Sequence, residues 1–153
     1  MEITFREAEA GDVGRIVEML ADDVLGSQRE RFEDPLPASY REAFRAIDAD
    51  PNNELTVACR DARIIGVAQL TFTPYLTHQG SWRMTIEGVR TCSSVRGQGV
   101  GSKLIRYGIE RAKARGCQLI QLTTDKQRPD ALRFYEGLGF MATHEGMKLK
   151  LGE

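Results

Sequence analysis

The feature that most constrains this chain is Arg96-Gly97-Gln98-Gly99-Val100-Gly101-Ser102-Lys103. It stands where a strand-like run, Trp82–Thr91, gives way to a helical apolar period. Gly101, Leu104, Ile105, Gly108, Ile109 and Ala112 share one helix face, and Gly116 can end the helix. Three glycines at the junction let backbone N–H groups approach a ligand with no Cβ in the way. The helix start adds unpaired donors and a partial positive charge, so the turn suits a pyrophosphate. Charge agrees: residues 96–115 carry six bases and one acid, against a net charge of −1 for the whole chain.

Two other phosphate motifs fail on spacing. A dinucleotide fingerprint needs GxGxxG after a first strand, whereas Gly97, Gly99 and Gly101 give GxGxG well into the chain. A Walker loop needs lysine before the hydroxyl residue, and here Ser102 precedes Lys103.

The elements around the turn define the fold class. Ile3–Arg6 reads as a strand, followed by an amphipathic helix whose face is Val13, Ile16, Val17 and Leu20, with Asp12 as its N-cap. A second helix is expected across Ala38–Ile47. Leu55–Cys59, Ile64–Phe72 and Trp82–Thr91 form an antiparallel meander. Cys117–Thr124 is a strand, and Pro129 opens a helix that faces Ala131, Phe134 and Leu138 to the core. Met147–Leu151 is read as a final strand. The sum is one α/β domain over residues 1–153, with a mixed, mostly antiparallel sheet and helices on both faces.

At 153 residues one core is enough. A net charge near zero gives no field for nucleic acid or an anionic membrane, and no run of ~18 apolar residues could span a bilayer. The acidic start Met1-Glu2-Ile3 lacks a secretory pattern. Cys59, Cys92 and Cys117 have no metal or disulfide spacing, so no metal is expected and a reducing, cytoplasmic setting is. The three cysteines show no basic or helix-start surroundings that would mark a nucleophile. His78 and His144 stand alone in loops, without ligand spacing.

Arg-x-x-Gly-x-Gly resembles the pyrophosphate loop of the GNAT superfamily of acetyl-CoA-dependent N-acetyltransferases. The similarity extends along nearly the whole chain. Ile3–Leu20 looks like that superfamily's first strand and helix. Ile86–Thr91 looks like its central cofactor-contacting strand, and Ala131–Phe140 like its helix-and-turn signature, with Tyr135 in the usual place. Many relatives have an asparagine near the pantetheine arm where this chain has Asp125-Lys126-Gln127-Arg128-Pro129-Asp130.

The resemblance implies a sheet splayed between two parallel strands, Ile86–Thr91 and Cys117–Thr124, with the pantetheine arm in the gap. It implies cofactor contacts from Val89, Arg90 and Thr91, from Arg96, Gly97, Gln98, Gly99, Val100, Gly101 and Ser102, and from Arg128 and Asp130. A small primary amine would attack the thioester directly, through a tetrahedral intermediate. Tyr135 reads as the acid that protonates departing CoA thiolate, or as a core aromatic. Glu87 reads as the base that frees the amine, or as a solvated or salt-bridged strand glutamate. An acyl-CoA sensor without turnover and a protein-lysine or N-terminal acetyltransferase remain open, as does a homodimer. The acid-rich segment 22–54, with nine acids against four arginines, leads to the expectation of a cationic acceptor.

Overall fold

In the computed structural model, which describes residues 2–152, the opening strand β1 (Thr4–Glu7) leads through a 3₁₀ turn, Ala10–Asp12, into α1 (Val13–Leu20). Val13, Ile16 and Val17 are buried as their spacing demands. Asp12 stands at the N-cap of α1 without bonding into it. Its carboxylate instead accepts from the Glu9 N–H (2.8 Å) and from Arg6 (2.7 Å), stapling the 3₁₀ turn to β1.

A helix that the sequence pattern does not predict, α2 (Val24–Arg29), follows, capped by Asp23 accepting from the Gly26 N–H at 2.6 Å. Gly26 is required there, because a Cβ would lie 2.0 Å from the Leu20 carbonyl oxygen. Next comes α3 (Ala38–Ala49), with Phe44 buried.

The meander is β2 (Asn53–Arg60), β3 (Arg63–Pro74) and, after a one-turn segment α4 (Thr77–Gly80), β4 (Trp82–Thr91). Asp61 and Ala62 join β2 to β3 with φ of 51° and 62°, the left-handed pair that a twisted two-residue hairpin requires. From β4 the chain passes through the 3₁₀ turn Ser93–Val95 and α5 (Val100–Ala114) to β5 (Cys117–Leu122), then to α6 (Pro129–Gly137).

The sheet order is β1-β2-β3-β4-β5. The first four strands pair antiparallel, and β5 forms the parallel pair with β4. Leu70, Phe72, Met84 and Ile86 are among the most buried side chains. α5 lies over that face: a Cβ on Gly108 would sit 3.5 Å from Leu70 and 3.6 Å from Met84. α1 packs against β3 and β4, and α3 against β2.

The chain divides into two compact units, one through Gln121 and the other from Leu122 onward. The second contains α6; Ala131 and Phe134 within it and Leu138 at its C-cap are half-buried. Met147–Leu151 is not a strand. Met147, Leu149 and Leu151 are 93%, 86% and 87% exposed. Their alternation matches a strand, but alternation alone supplies no ladder.

Candidate functional site

Gly97 and Gly99 hold φ of 80° and 79°, left-handed conformations that L side chains rarely adopt. A Cβ at either would meet nothing within 4 Å, so the turn faces open space. Gly99 is the N-cap of α5, and the Lys103 N–H closes onto its carbonyl at 3.1 Å. The N–H groups of Val100, Gly101 and Ser102 precede that bond and have no intrahelical acceptor. The Arg60 Nη1 donates to the Gln98 side-chain oxygen at 3.1 Å, tying the end of β2 to the turn. Only the fold brings those two together.

β4 leads into this turn through an irregularity. Gln69 pairs with Glu87 and Val67 with Arg90, so Gly88 and Val89 stand opposite the single residue Ala68. This is a β-bulge, and Gly88 supplies it with φ of 63°. A bulge takes backbone groups out of the ladder and leaves them for another partner. Glu87 is exposed at its edge and, among the described residues, forms no ion pair. The salt-bridged reading of Glu87 is thereby set aside. Thr91 and Val89 are half-buried, and the Arg90 guanidinium donates to the Val89 carbonyl at 2.8 Å.

In the C-terminal unit, Pro129 occupies the first turn of α6, and Tyr135 is half-buried between Phe134 and Phe140, with ring centroids 5.0 and 5.7 Å away. Asp130 is exposed and paired with Arg133. Arg128 is half-buried at the N-cap.

Cys92 corrects an expectation. Buried where β4 ends, its Sγ lies 3.1 Å from the Ser94 hydroxyl, 3.2 Å from an Arg15 nitrogen and 3.7 Å from one of Arg63. Hydrogen bonding from Ser94 first, then Arg15, lowers the thiol pKa to about 7. Arg15 is 77 positions away and only folding delivers it. Cys117 goes the other way, pushed up by burial.

The acids of segment 22–54 are largely engaged. Asp23 caps α2, Glu30 pairs with Arg29, Glu33 with Arg31, Asp50 accepts from Asn52 and Asn53, and Glu54 pairs with Arg111 and Arg115. Two open depressions of about 550 and 560 Å³ lie at His78–Trp82 and around Phe32–Leu36, and neither includes Glu87 or the glycine turn. Among the described residues no cluster of metal-ligating side chains occurs, and no helix is long and apolar enough to cross a membrane.

The sequence model of the Acetyltransferase (GNAT) family matches residues 21–140. The chain is 32% identical over 106 residues to an aminoalkylphosphonate N-acetyltransferase of Salmonella typhimurium, covering 69% of this chain and 68% of that one. It is 37% identical over 89 residues to a glucosamine 6-phosphate N-acetyltransferase of Trypanosoma brucei brucei, 58% of each. Among solved structures, a Bacillus halodurans protein named as a transcriptional regulator superposes with a TM-score of 0.96 at 66% identity, over 98% of this chain and 100% of that one. An acetyltransferase from Clostridium acetobutylicum with acetyl-CoA shares the fold, with a TM-score of 0.74 at 22% identity over 97% and 96%. The glycine turn, the bulged strand before it and these relatives agree: the chain belongs to the GNAT family of acyl-CoA-dependent acetyltransferases.

Proposed function

We propose that this chain transfers the acetyl group of acetyl-CoA to the primary amine of a small molecule by direct attack, through a tetrahedral intermediate. The observation that carries the reading is the continuity of the bulge at Gly88–Val89 with the open, left-handed glycine turn at the start of α5. The two features suit the two ends of one extended thioester.

The turn fits a pyrophosphate, with amides of residues 97–102 and Arg96 as its donors. The strand Val89–Thr91 would bond the pantetheine amides as an added strand would. A backbone N–H released at the bulge would polarise the thioester carbonyl as negative charge develops on its oxygen. Arg128 and Asp130 are assigned to the same cofactor.

Glu87 takes a proton from the incoming ammonium. At an ordinary pKa of ~10.4, about one such amine in 2,500 is neutral at pH 7, so a base within reach relieves a real shortage. Tyr135 returns a proton to the CoA thiolate, whose acid has a pKa comparable to that of a phenol. Small acceptors are supported by the two curated relatives, both named for amines that are small molecules. A cytoplasmic setting, supported by three free cysteines, and a homodimer belong to the same proposal.

A second reading, an acyl-CoA sensor without turnover, is favoured by the name of the Bacillus halodurans relative. Thiol release from acetyl-CoA, screened over amino sugars, aminophosphonates, polyamines, amino acids and peptides, separates the two. The enzyme reading expects amine-dependent release. Tight CoA binding with no release for any amine supports the sensor.

A further inference from the structure

We propose that Arg83 binds an oxyanion (phosphoryl, phosphonyl or carboxylate) on the acceptor, and so selects amines that carry this group well away from the nitrogen. The inference rests on the acetyl-transfer reading above and narrows its substrate.

It starts from strand alternation. Arg83, Thr85 and Glu87 fall at every second position of β4 and therefore share one face of the sheet. The register places Thr73, Thr71 and Gln69 of β3 directly opposite them. On β2, Asn53 stands opposite Thr71, and its side-chain oxygen accepts from Gln69 (2.9 Å) and Thr71 (3.0 Å). From β5 the Gln121 amide donates to the Thr85 hydroxyl at 3.3 Å, and its oxygen accepts from Arg83 at 3.3 Å. On β3 this face is buried and apolar at Ile65 and Val67, then turns half-buried and polar from Gln69 to Thr73. Four strands thus present a neutral hydrogen-bonding floor whose two charges are Arg83 and Glu87.

Arg83 is held as a recognition group rather than as half of a structural ion pair. Its guanidinium lies 4.3 Å from the Tyr75 ring centroid and donates to the Thr77 hydroxyl at 3.3 Å. Its Nε is buried with no hydrogen-bond partner, and no carboxylate pairs with it among the described residues. Arg6, Arg15, Arg111 and Arg115 each have an acid. Stacking and neutral bonds fix the planar fork while leaving its charge uncompensated, which is the state suited to a bidentate oxyanion.

Spacing adds a length requirement. Arg83 and Glu87 are four residue steps apart along the strand, roughly 13 Å between backbone positions. An amine presented to Glu87 reaches Arg83 with its anion only if several bonds lie between them. A hexosamine phosphate has such a span, whereas in the shortest aminophosphonates the two groups are nearly adjacent.

The test compares matched acceptors: glucosamine against glucosamine 6-phosphate, with a carboxylate-terminated amino sugar, a short aminophosphonate and a diamine as further arms. For Arg83→Gln, loss of a charged hydrogen-bonding partner should raise KM for the phosphorylated acceptor about 10- to 100-fold. KM for glucosamine and affinity for acetyl-CoA should be unchanged, and Arg83→Lys should recover part of the loss. Equal wild-type efficiency on the charged and neutral partners, or preference for the diamine, overturns the proposal. So does an Arg83→Gln defect that is the same for both. For a chain without turnover, calorimetry of glucosamine 6-phosphate on the CoA-bound protein reads the same difference as a loss of affinity. Binding that requires Arg83 but shows no transfer would strike the acetyl-transfer reading and spare the anion site.

Discussion

Arg111 clasps Glu54 with two parallel hydrogen bonds, Nε to Oε1 at 2.9 Å and Nη2 to Oε2 at 2.8 Å, joining α5 to β2. Arg115 adds a third contact at 3.3 Å to Oε2 while its guanidinium lies 4.1 Å from the Phe72 ring centroid. The Glu54 side chain is only 9% exposed, whereas both arginines reach solvent. The pair therefore fixes the C-terminal half of α5 to the sheet, and with it the direction in which the opposite end, the glycine turn, points.

Glu54→Gln keeps the shape and removes the charge. Losing charge-assisted bonds costs about 2 kcal/mol. For a domain of this size that lowers Tm by about 4–8 °C in a thermal melt. CoA affinity measured well below Tm should change little, since no bond of Glu54 touches the turn. An unchanged Tm would mean that water replaces the carboxylate at no cost.

Cys92 gives a pH signature. Its folded pKa of about 7 lies below the ordinary thiol value near ~8.5, so the folded state prefers the thiolate. The resulting stabilisation is complete above ~8.5 and is lost as pH falls through 7. Thiolate ultraviolet absorbance should show a step centred near pH 7 that Cys92→Ser abolishes. The same variant should flatten the rise in stability between pH 7 and ~8.5. A single thiol step well above pH 8 in the wild type would contradict the Ser94–Arg15 environment.

Gly99→Val imposes a β-branched side chain on a left-handed residue, so the turn must reshape. CoA affinity should fall by at least ~10-fold by calorimetry, while circular dichroism stays native. Gly116→Val is the control. It strains a left-handed glycine at the other end of α5 and should cost stability without affecting CoA. Wild-type CoA affinity in folded Gly99→Val would remove the turn from the cofactor site.

Tyr135→Phe keeps the ring that lies against Phe134 and Phe140 and deletes only the hydroxyl. If Tyr135 protonates the leaving thiolate, kcat falls about 10- to 1,000-fold with little change in acetyl-CoA affinity. A loss of Tm with full kcat would return it to an aromatic packing role.

The parts legible in the sequence are those set by local rules. Strand alternation locates β2, β3 and β4 to within a few residues, and Gly97 and Gly99 mark their turn because few other residues accept that backbone. What escapes depends on distant pairings. Gly88 looks like any strand glycine until the register with Ala68 makes it a bulge. Arg83 gains meaning only from Gln121, Thr77 and Tyr75, and Cys92, beside its near neighbour Ser94, also needs Arg15 from 77 positions away. The acids of 22–54 read as a field in one dimension, but Glu54 answers to arginines more than fifty positions away. Met147–Leu151 shows the converse error, in which a strand-like alternation does not become a strand.

Glu87→Gln tests the remaining assignment. Glu87 is exposed beside the Gly88–Val89 bulge, opposite Gln69, and no basic side chain pairs with it among the described residues. Its carboxylate is therefore available to an incoming ammonium. Glutamine preserves size and hydrogen bonding but accepts no proton, so the variant must wait for amine that has deprotonated unaided. That neutral fraction rises tenfold per pH unit below the amine pKa of ~10.4. The defect in kcat/KM should consequently be largest near pH 6–7 and shrink steadily toward pH 9–10. With an acceptor amine of lower intrinsic pKa, the whole profile should move down by the same interval. A rate loss that is flat across pH, and indifferent to acceptor pKa, would show that Glu87 orients the amine without taking its proton.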